Sequence, residues 1–302
     1  MSTRLDPALT ASLPATLAGE VCAAAGEGQR DLQECADTYG GAFASRPFDP
    51  ALFSTVALAN SFCAPWLRAD QLRIANRASL WAFGVDWAID YVATTRPEVD
   101  EVVSRCLTIV DGGTPAGDDP LLRFLADLHD ELAAAPAFPV LGPIWRTEFR
   151  LMLEAMAREW TWQAARAAGD EQALPTFADY VANADNICFS FVFVSHWIVN
   201  SPPPPLSKVE ELLAAGRAVQ VVIRLLNDLG TYHRDLSWGD LNPLMLGVTK
   251  EQVAERIAGL TEHCERLLEP LNSTHPDLAV FLHRYIQFNV GFYRVGDYWG
   301  KL

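Results

Sequence analysis

The chain has 302 residues, half of them hydrophobic and nine of them Trp, with a formal net charge of −15 and pI near 4.7. That acidity, without a basic stripe in any segment, excludes nucleic acid as a partner, because phosphate backbones are bound through clustered Lys and Arg. A protein this acidic that handles a phosphate must bring metal, and a core this apolar has room for an enclosed, aromatic-lined pocket.

The six cysteines are scattered, with no C-x-x-C pair and no His at zinc-ligand spacing, and are expected to be reduced and mostly buried. Met1 to Pro7 lacks a basic region leading into an apolar run, which predicts no secretory signal. The most hydrophobic stretch, Ile187 to Val199, is too short to span a bilayer and carries Ser190, Ser195 and His196. These features predict no membrane insertion and a cytoplasmic protein.

Taken in order, the first 45 residues show helical periodicity over Leu17–Tyr39, broken by Arg46-Pro47-Phe48-Asp49-Pro50. An apolar helix follows over Ala51–Trp66, then a longer one over Asp70–Tyr91. The latter holds Asp86 and Asp90, four residues apart on an otherwise apolar strip. Two like charges one turn apart repel, so either this face is solvated or a cation sits between them.

Pro97 opens a helix through Val110, and residues 111–120 form a loop whose carboxylates serve as turn and cap residues. Helices are predicted at Leu121–Ala135, Ile144–Ala168 and Thr176–Val199. Pro202–Pro205 is a stiff connector. Three more helices follow at Lys208–Asp235, Lys250–Leu268 and Leu278–Trp299. No strand, repeat or interdomain linker is legible. The chain therefore reads as all-α, one domain over 1–302.

The helix ending at Asp235 carries Asn227, Thr231 and Asp235 at four-residue spacing, stacking an amide oxygen, a hydroxyl and a carboxylate on one face. Such oxygen donors suit magnesium, which retains open positions for a phosphate-bearing substrate. Arg224, one turn earlier, would neutralise that phosphate. An ordinary polar helix end is the competing reading, and the Asp86/Asp90 pair is what favours metal. No Ser-His-Asp or Cys-His arrangement appears. His196 is expected in the core and His233 in solvent.

With these two segments in hand, the chain resembles the bacterial class I terpene synthases. Phe83 to Asp90 is similar to their aspartate-rich motif, with Trp87 in place of a usual second aspartate. Arg224 to Asp235 is similar to their Asn, Ser/Thr, Glu/Asp triad, with Arg224 and Arg234 at basic positions that face a diphosphate. The departures are Asn183, which stands three residues after Tyr180 where an arginine is usual, and the missing C-terminal Arg-Tyr pair, for which Arg294, Tyr298 and Lys301 are the available substitutes.

The resemblance implies a helical bundle around a central apolar cavity and a magnesium cluster, trinuclear in the family. Asp86, Asp90, Asn227, Thr231 and Asp235 would hold the metal, with Arg224, Arg234, Asn183 and Tyr298 toward a prenyl diphosphate. Phe83, Trp87, Phe189, Phe193, Trp197 and Trp299 are the expected cavity wall, where aromatic faces stabilise a migrating cation. It is most like the actinobacterial diterpene synthases, which implies geranylgeranyl diphosphate as substrate ahead of a bicyclic labdane-type diphosphate or farnesyl diphosphate. It also allows a homodimer. The competing readings are a chain-elongating prenyltransferase, which normally carries two aspartate-rich motifs, and a non-catalytic helical protein that binds an apolar ligand.

Overall fold

A computed structural model describes residues 14–115, 117–203 and 206–300, and among them there are twelve α-helices and no strand. Met1 to Pro7, Ala116, Pro204, Pro205 and Lys301 lie outside the described residues. The first half comprises α1 (Ala15–Thr38), α2 (Pro50–Cys63), α3 (Ala69–Trp87), α4 (Arg96–Val110), α5 (Pro120–Ala133) and α6 (Phe138–Ala167). The second half comprises α7 (Phe177–Ala182), α8 (Phe189–Asn200), α9 (Leu206–Trp238), α10 (Lys250–Leu268), α11 (Leu271–Thr274) and α12 (Pro276–Phe292).

Helix starts follow local chemistry. Asp49 accepts hydrogen bonds from the amides of Ala51 and Leu52 at 2.9 Å each, with Pro50 opening α2. Thr95 and Glu98 form a capping box for α4, and Thr249 and Gln252 do the same for α10. In the loop before α5, Asp119 is the cap and Asp118 pairs with Arg123. Helix α6 begins six residues earlier than predicted and runs through Pro143, which near a helix start forfeits one backbone hydrogen bond.

Three departures from the predicted helices shape the cavity. Helix α3 ends in a π turn over Ala88–Val92, closed by the Ala93 amide on the Ala88 carbonyl at 3.0 Å, so Asp90 stands on widened rather than regular helix. The helix predicted over Thr176–Val199 is broken into α7, a 3-10 turn over Ala184–Ile187, and α8, with Cys188 at φ 65° between them. The polar run explains the break, since Asn183, Asp185 and Asn186 direct their side chains to α6 and α9. The amide of Ser190 turns to the Gln220 side chain at 2.8 Å. Last, α12 stops at Phe292 instead of Trp299, and the chain folds back so that Asp297, Tyr298 and Trp299 line the cavity.

That return needs Gly230. A methyl group there would lie 2.8 Å from the Tyr293 carbonyl oxygen, so glycine lets α12 close onto α9 beside Asn227.

One continuous core joins α1 to α12. Trp81, Trp145, Phe149 and Phe191 pack ring on ring and weld α3, α6 and α8 together. The indole of Trp145 donates to Ser195 at 2.8 Å and that of Trp81 to the Leu121 carbonyl at 3.0 Å, so neither N–H is buried unpaired. No helix among the described residues is long and apolar enough to cross a membrane. All six cysteines are free, and only Cys22 is exposed.

Candidate active site

Helices α2, α3, α6, α8, α9 and α12 line a cavity of about 180 Å³. In the same measure one water needs roughly 10–15 Å³, so this space suits an extended ligand. One end is acidic. Asp86, Asp90, Glu159, Asp228, Asp235, Asp240 and Asp297 line it, against Arg224 and Arg234: seven carboxylates less two guanidinium groups, a formal excess of five negative charges. Toward the other end the wall is Val56, Ala59, Ala82, Phe83, Val192 and Ile223.

The excess charge is felt by its members. Burial pushes the Asp86 carboxyl up to about 7, with Asp240 and Glu159 adding to the rise. Burial and then Asp86 hold Asp90 well above the usual carboxylate range. Asp240 rises to about 6 by burial, against the lowering effect of the Tyr91 hydroxyl. No ion pair reaches Asp86, Asp90 or Asp240 among the described residues. Carboxylates buried this way fit a cation better than they fit one another.

The triad helix meets the same end of the cavity. Asn227 donates its amide N–H to the Tyr293 hydroxyl at 3.0 Å, which leaves its carbonyl oxygen for a cation. Thr231 does not line the cavity; it is 2 % exposed, and its hydroxyl faces Asp235 at 2.8 Å and the main-chain carbonyl of Asn227 at 2.9 Å. Asp235 does line it, and also accepts from Asn242 at 2.8 Å and Arg234 at 2.9 Å.

Among the described residues no three His, Cys, Asp or Glu groups meet closely enough to hold an ion by themselves. The donor chemistry nevertheless fits a hard divalent cation, because all the groups are oxygens and one buried atom, Oδ2 of Asp228, has no partner. Coordination there must be shared with the Asn227 amide or with oxygens of a ligand.

Both arginines read as diphosphate-facing are engaged. Arg224 is 7 % exposed and lies between Glu159 at 2.7 Å and Asp228 at 3.3 Å, with Nε donating to the Tyr180 hydroxyl at 2.9 Å. Arg234 bonds Asp297 at 2.7 Å and Asp235, and its cationic carbon lies 5.3 Å from the Trp238 ring centre. Arg234 lines the cavity, and its Nε is buried without a partner.

Other expected positions fall elsewhere. Asn183 does not line the cavity; its amide donates to the Ala155 carbonyl at 3.0 Å and accepts from Arg158. The cause is the break before α8, which turns Asn183 toward α6. Phe83, Phe189, Trp299 and Tyr298 line the cavity. Trp87, Phe193 and Trp197 do not: Trp87 packs behind the wall against Phe48, Tyr91 and Trp299, while Phe193 and Trp197 stack in the core beside Phe281. His196 is a buried core residue stacked on Phe281, and His233 is exposed.

Sequence reasoning missed Glu159, Asp228, Asp240, Asp297, Tyr91 and Tyr180. Glu159 carried a signal, since Met152, Met156, Glu159 and Gln163 share one helix face and a charge there interrupts an apolar stripe. Asp240 and Asp297 lie beyond helix ends, where no periodicity marks them.

A family model described as terpene synthase family 2, C-terminal metal binding, matches residues 78–266. The ent-pimara-9(11),15-diene synthase of Streptomyces sp. (strain KO-3988) is 27% identical over 279 residues, 90% of this chain and 91% of that protein. The fold is similar to that of 2-methylisoborneol synthase from Streptomyces coelicolor A3(2) in complex with Mg2+ and geranyl-S-thiolodiphosphate (TM-score 0.72, 17% identity, 93% of each chain). It is also similar to that of linalool/nerolidol synthase from Streptomyces clavuligerus in complex with 2-fluorogeranyl diphosphate (TM-score 0.67, 18% identity, 87% of this chain and 94% of that chain).

Proposed function

The chain belongs to terpene synthase family 2 and is a lyase of the terpene cyclase kind, and from that premise we propose that it ionises geranylgeranyl diphosphate with magnesium and closes the cation to a cyclic diterpene, releasing pyrophosphate. The observation that carries this reading is the cavity's polarity: an excess of carboxylates at one end and an apolar, partly aromatic wall at the other. A diphosphate with a long hydrocarbon tail has that same polarity, provided cations neutralise its head.

Magnesium, when bound, supplies the Lewis acidity that stabilises the departing diphosphate. Asp86 and Asp90 on one rim, and Asn227 and Asp235 on the other, would hold a cluster, three ions by likeness to the family. Thr231, whose hydroxyl donates its hydrogen to Asp235, keeps its oxygen lone pairs for a cation but joins them only by turning toward the cavity, which it does not line. Arg234, whose Nε is without a partner, would turn that donor to the diphosphate, and Tyr298 lines the same cavity. Arg224, also on the cavity wall, adds its charge while held by Glu159 and Asp228. Phe83, Phe189 and Trp299 offer ring faces to the cation and exclude water from the reacting carbons.

A C20 substrate is favoured by likeness to a relative whose name describes a pimaradiene synthase. A bicyclic labdane-type diphosphate and farnesyl diphosphate are the alternatives. The test is incubation of the purified chain with magnesium and C10, C15, C20 and bicyclic C20 diphosphates, followed by pyrophosphate and product analysis. Pyrophosphate with a cyclic C20 product is expected. Absence of pyrophosphate from all four would leave an apolar-ligand-binding protein as the better reading.

A further inference from the structure

The wall remote from the carboxylates is not wholly apolar. Asn60, Ser79, Tyr285 and Asn289 line it among the aliphatic side chains. Their depth follows from helix geometry. Tyr293 marks the acidic end through its bond to Asn227; Asn289 lies one turn below it on α12 and Tyr285 two turns below, about 6 and 12 Å along the axis. Ser79 stands seven residues before Asp86 on α3, about 10 Å down.

Most hydrogens of this group are already committed. The Tyr285 hydroxyl donates to Asn60, Asn60 donates to Asn76 at 2.9 Å, Asn289 donates to the Tyr285 carbonyl at 2.8 Å, and Ser79 donates to the Ala75 carbonyl at 2.8 Å. What remains is one N–H of the Asn289 amide and a larger number of lone pairs: those of the Tyr285 and Ser79 hydroxyl oxygens and of the Asn289 amide oxygen. A wall richer in acceptors than in donors takes a ligand chiefly through that ligand's own hydrogens. Water satisfies it, since two O–H bonds given to two acceptors turn the water's lone pairs away from the wall and into the cavity.

We propose that Tyr285 and Asn289 position a water molecule at the far end of the cavity, which captures the carbocation and makes the product a cyclic alcohol. This deepens the terpene cyclase reading and rests on it. The water oxygen forms the new C–O bond with its lone pair and quenches the cation. The resulting oxonium hydrogen-bonds to the Tyr285 oxygen and passes one proton through further cavity water to the released diphosphate at the acidic end, about 12 Å away. One water is consumed, and the alcohol and hydrogen diphosphate leave. No redox partner is needed.

The experiment is turnover of geranylgeranyl diphosphate by the intact chain with magnesium in H2 18O, with pyrophosphate assayed separately. A cyclic alcohol two mass units heavier is expected. In Tyr285→Phe and Asn289→Leu the ratio of cyclic alcohol to hydrocarbon should fall by about tenfold or more, a ratio that does not depend on how much enzyme remains folded. Pyrophosphate release with hydrocarbon alone, such as a diene, or with only an acyclic alcohol, overturns the water site and leaves the cyclase reading standing. No pyrophosphate from this or the other prenyl diphosphates removes the cyclase reading, and the water site with it. The labelled wild-type product decides the matter even where a variant fails to fold.

Discussion

The Tyr91 hydroxyl lies 2.8 and 2.7 Å from the two carboxylate oxygens of Asp240, joining residues 149 apart in the chain. Tyr91 stands on the π turn that carries Asp90, and Asp240 on the loop after α9, so the contact fixes one rim of the acidic end against the other. Two of the proposed metal-holding elements are thereby set at a fixed distance before any ligand arrives.

Tyr91→Phe removes that tie while keeping the ring that packs on Trp87 and Trp238. Loss of one charge-assisted hydrogen bond costs on the order of 1.5–3 kcal/mol, so kcat/KM should fall about tenfold or more. Steady-state kinetics beside a thermal melt checks this; an unchanged kcat/KM would show that the rims need no such link.

Asp86→Asn should abolish turnover yet stabilise the metal-free protein at neutral pH. The sign follows from the raised carboxyls. Asp86 and Asp240 titrate near 7 and 6 when folded but at 3.8 as ordinary groups. Between those values the folded form holds protons the unfolded form has lost, so the contribution of these two groups to the stability of the metal-free wild type rises as pH falls from about 7 to about 4. The variant lacks Asp86's share and should show a shallower slope, with a gain of about 1–2 kcal/mol at pH 7.5 after allowance for water at the cavity mouth. Denaturant titrations at several pH values, in EDTA, measure both. Excess magnesium should reverse the wild-type trend, because bound carboxylates stay ionised.

Glu159→Gln leaves the buried Arg224 guanidinium without its nearest counter-charge. Breaking one side of a buried pair costs about 3–5 kcal/mol, and the remaining partner Asp228, at 3.3 Å, should hold the loss near the lower figure. Urea unfolding followed by circular dichroism reads it. A loss below about 1 kcal/mol would mean that Asp228 and Tyr180 suffice.

Gly230→Ala sets two effects against each other. Alanine favours helix by about 1 kcal/mol, but its methyl group would meet the Tyr293 carbonyl oxygen at 2.8 Å, a backbone atom that cannot rotate away. The expected outcome is unchanged helical content with turnover reduced about tenfold or more, as the return carrying Asp297, Tyr298 and Trp299 is pushed off α9. Far-UV circular dichroism and product assays separate the two effects.

The sequence by itself determined the all-helical architecture, the Asp86/Asp90 pair and the Asn227, Thr231, Asp235 face, because helical periodicity assigns side chains to a common face wherever the helix packs. It also determined, through its acidity, that a phosphate ligand would require metal. Only the tertiary structure decided which face meets the cavity. Phe189 lines it while Phe193, one turn on, is core, and Asn183 is turned away by a break whose partners lie on α6 and α9. Arg224 acquires its counter-charge from Glu159, 65 residues earlier, and Asp240 and Asp297 join the site from loops. These outcomes rest on contacts between helices and on chain returns, where a side chain's surroundings come from residues remote in sequence and local spacing carries no trace of them.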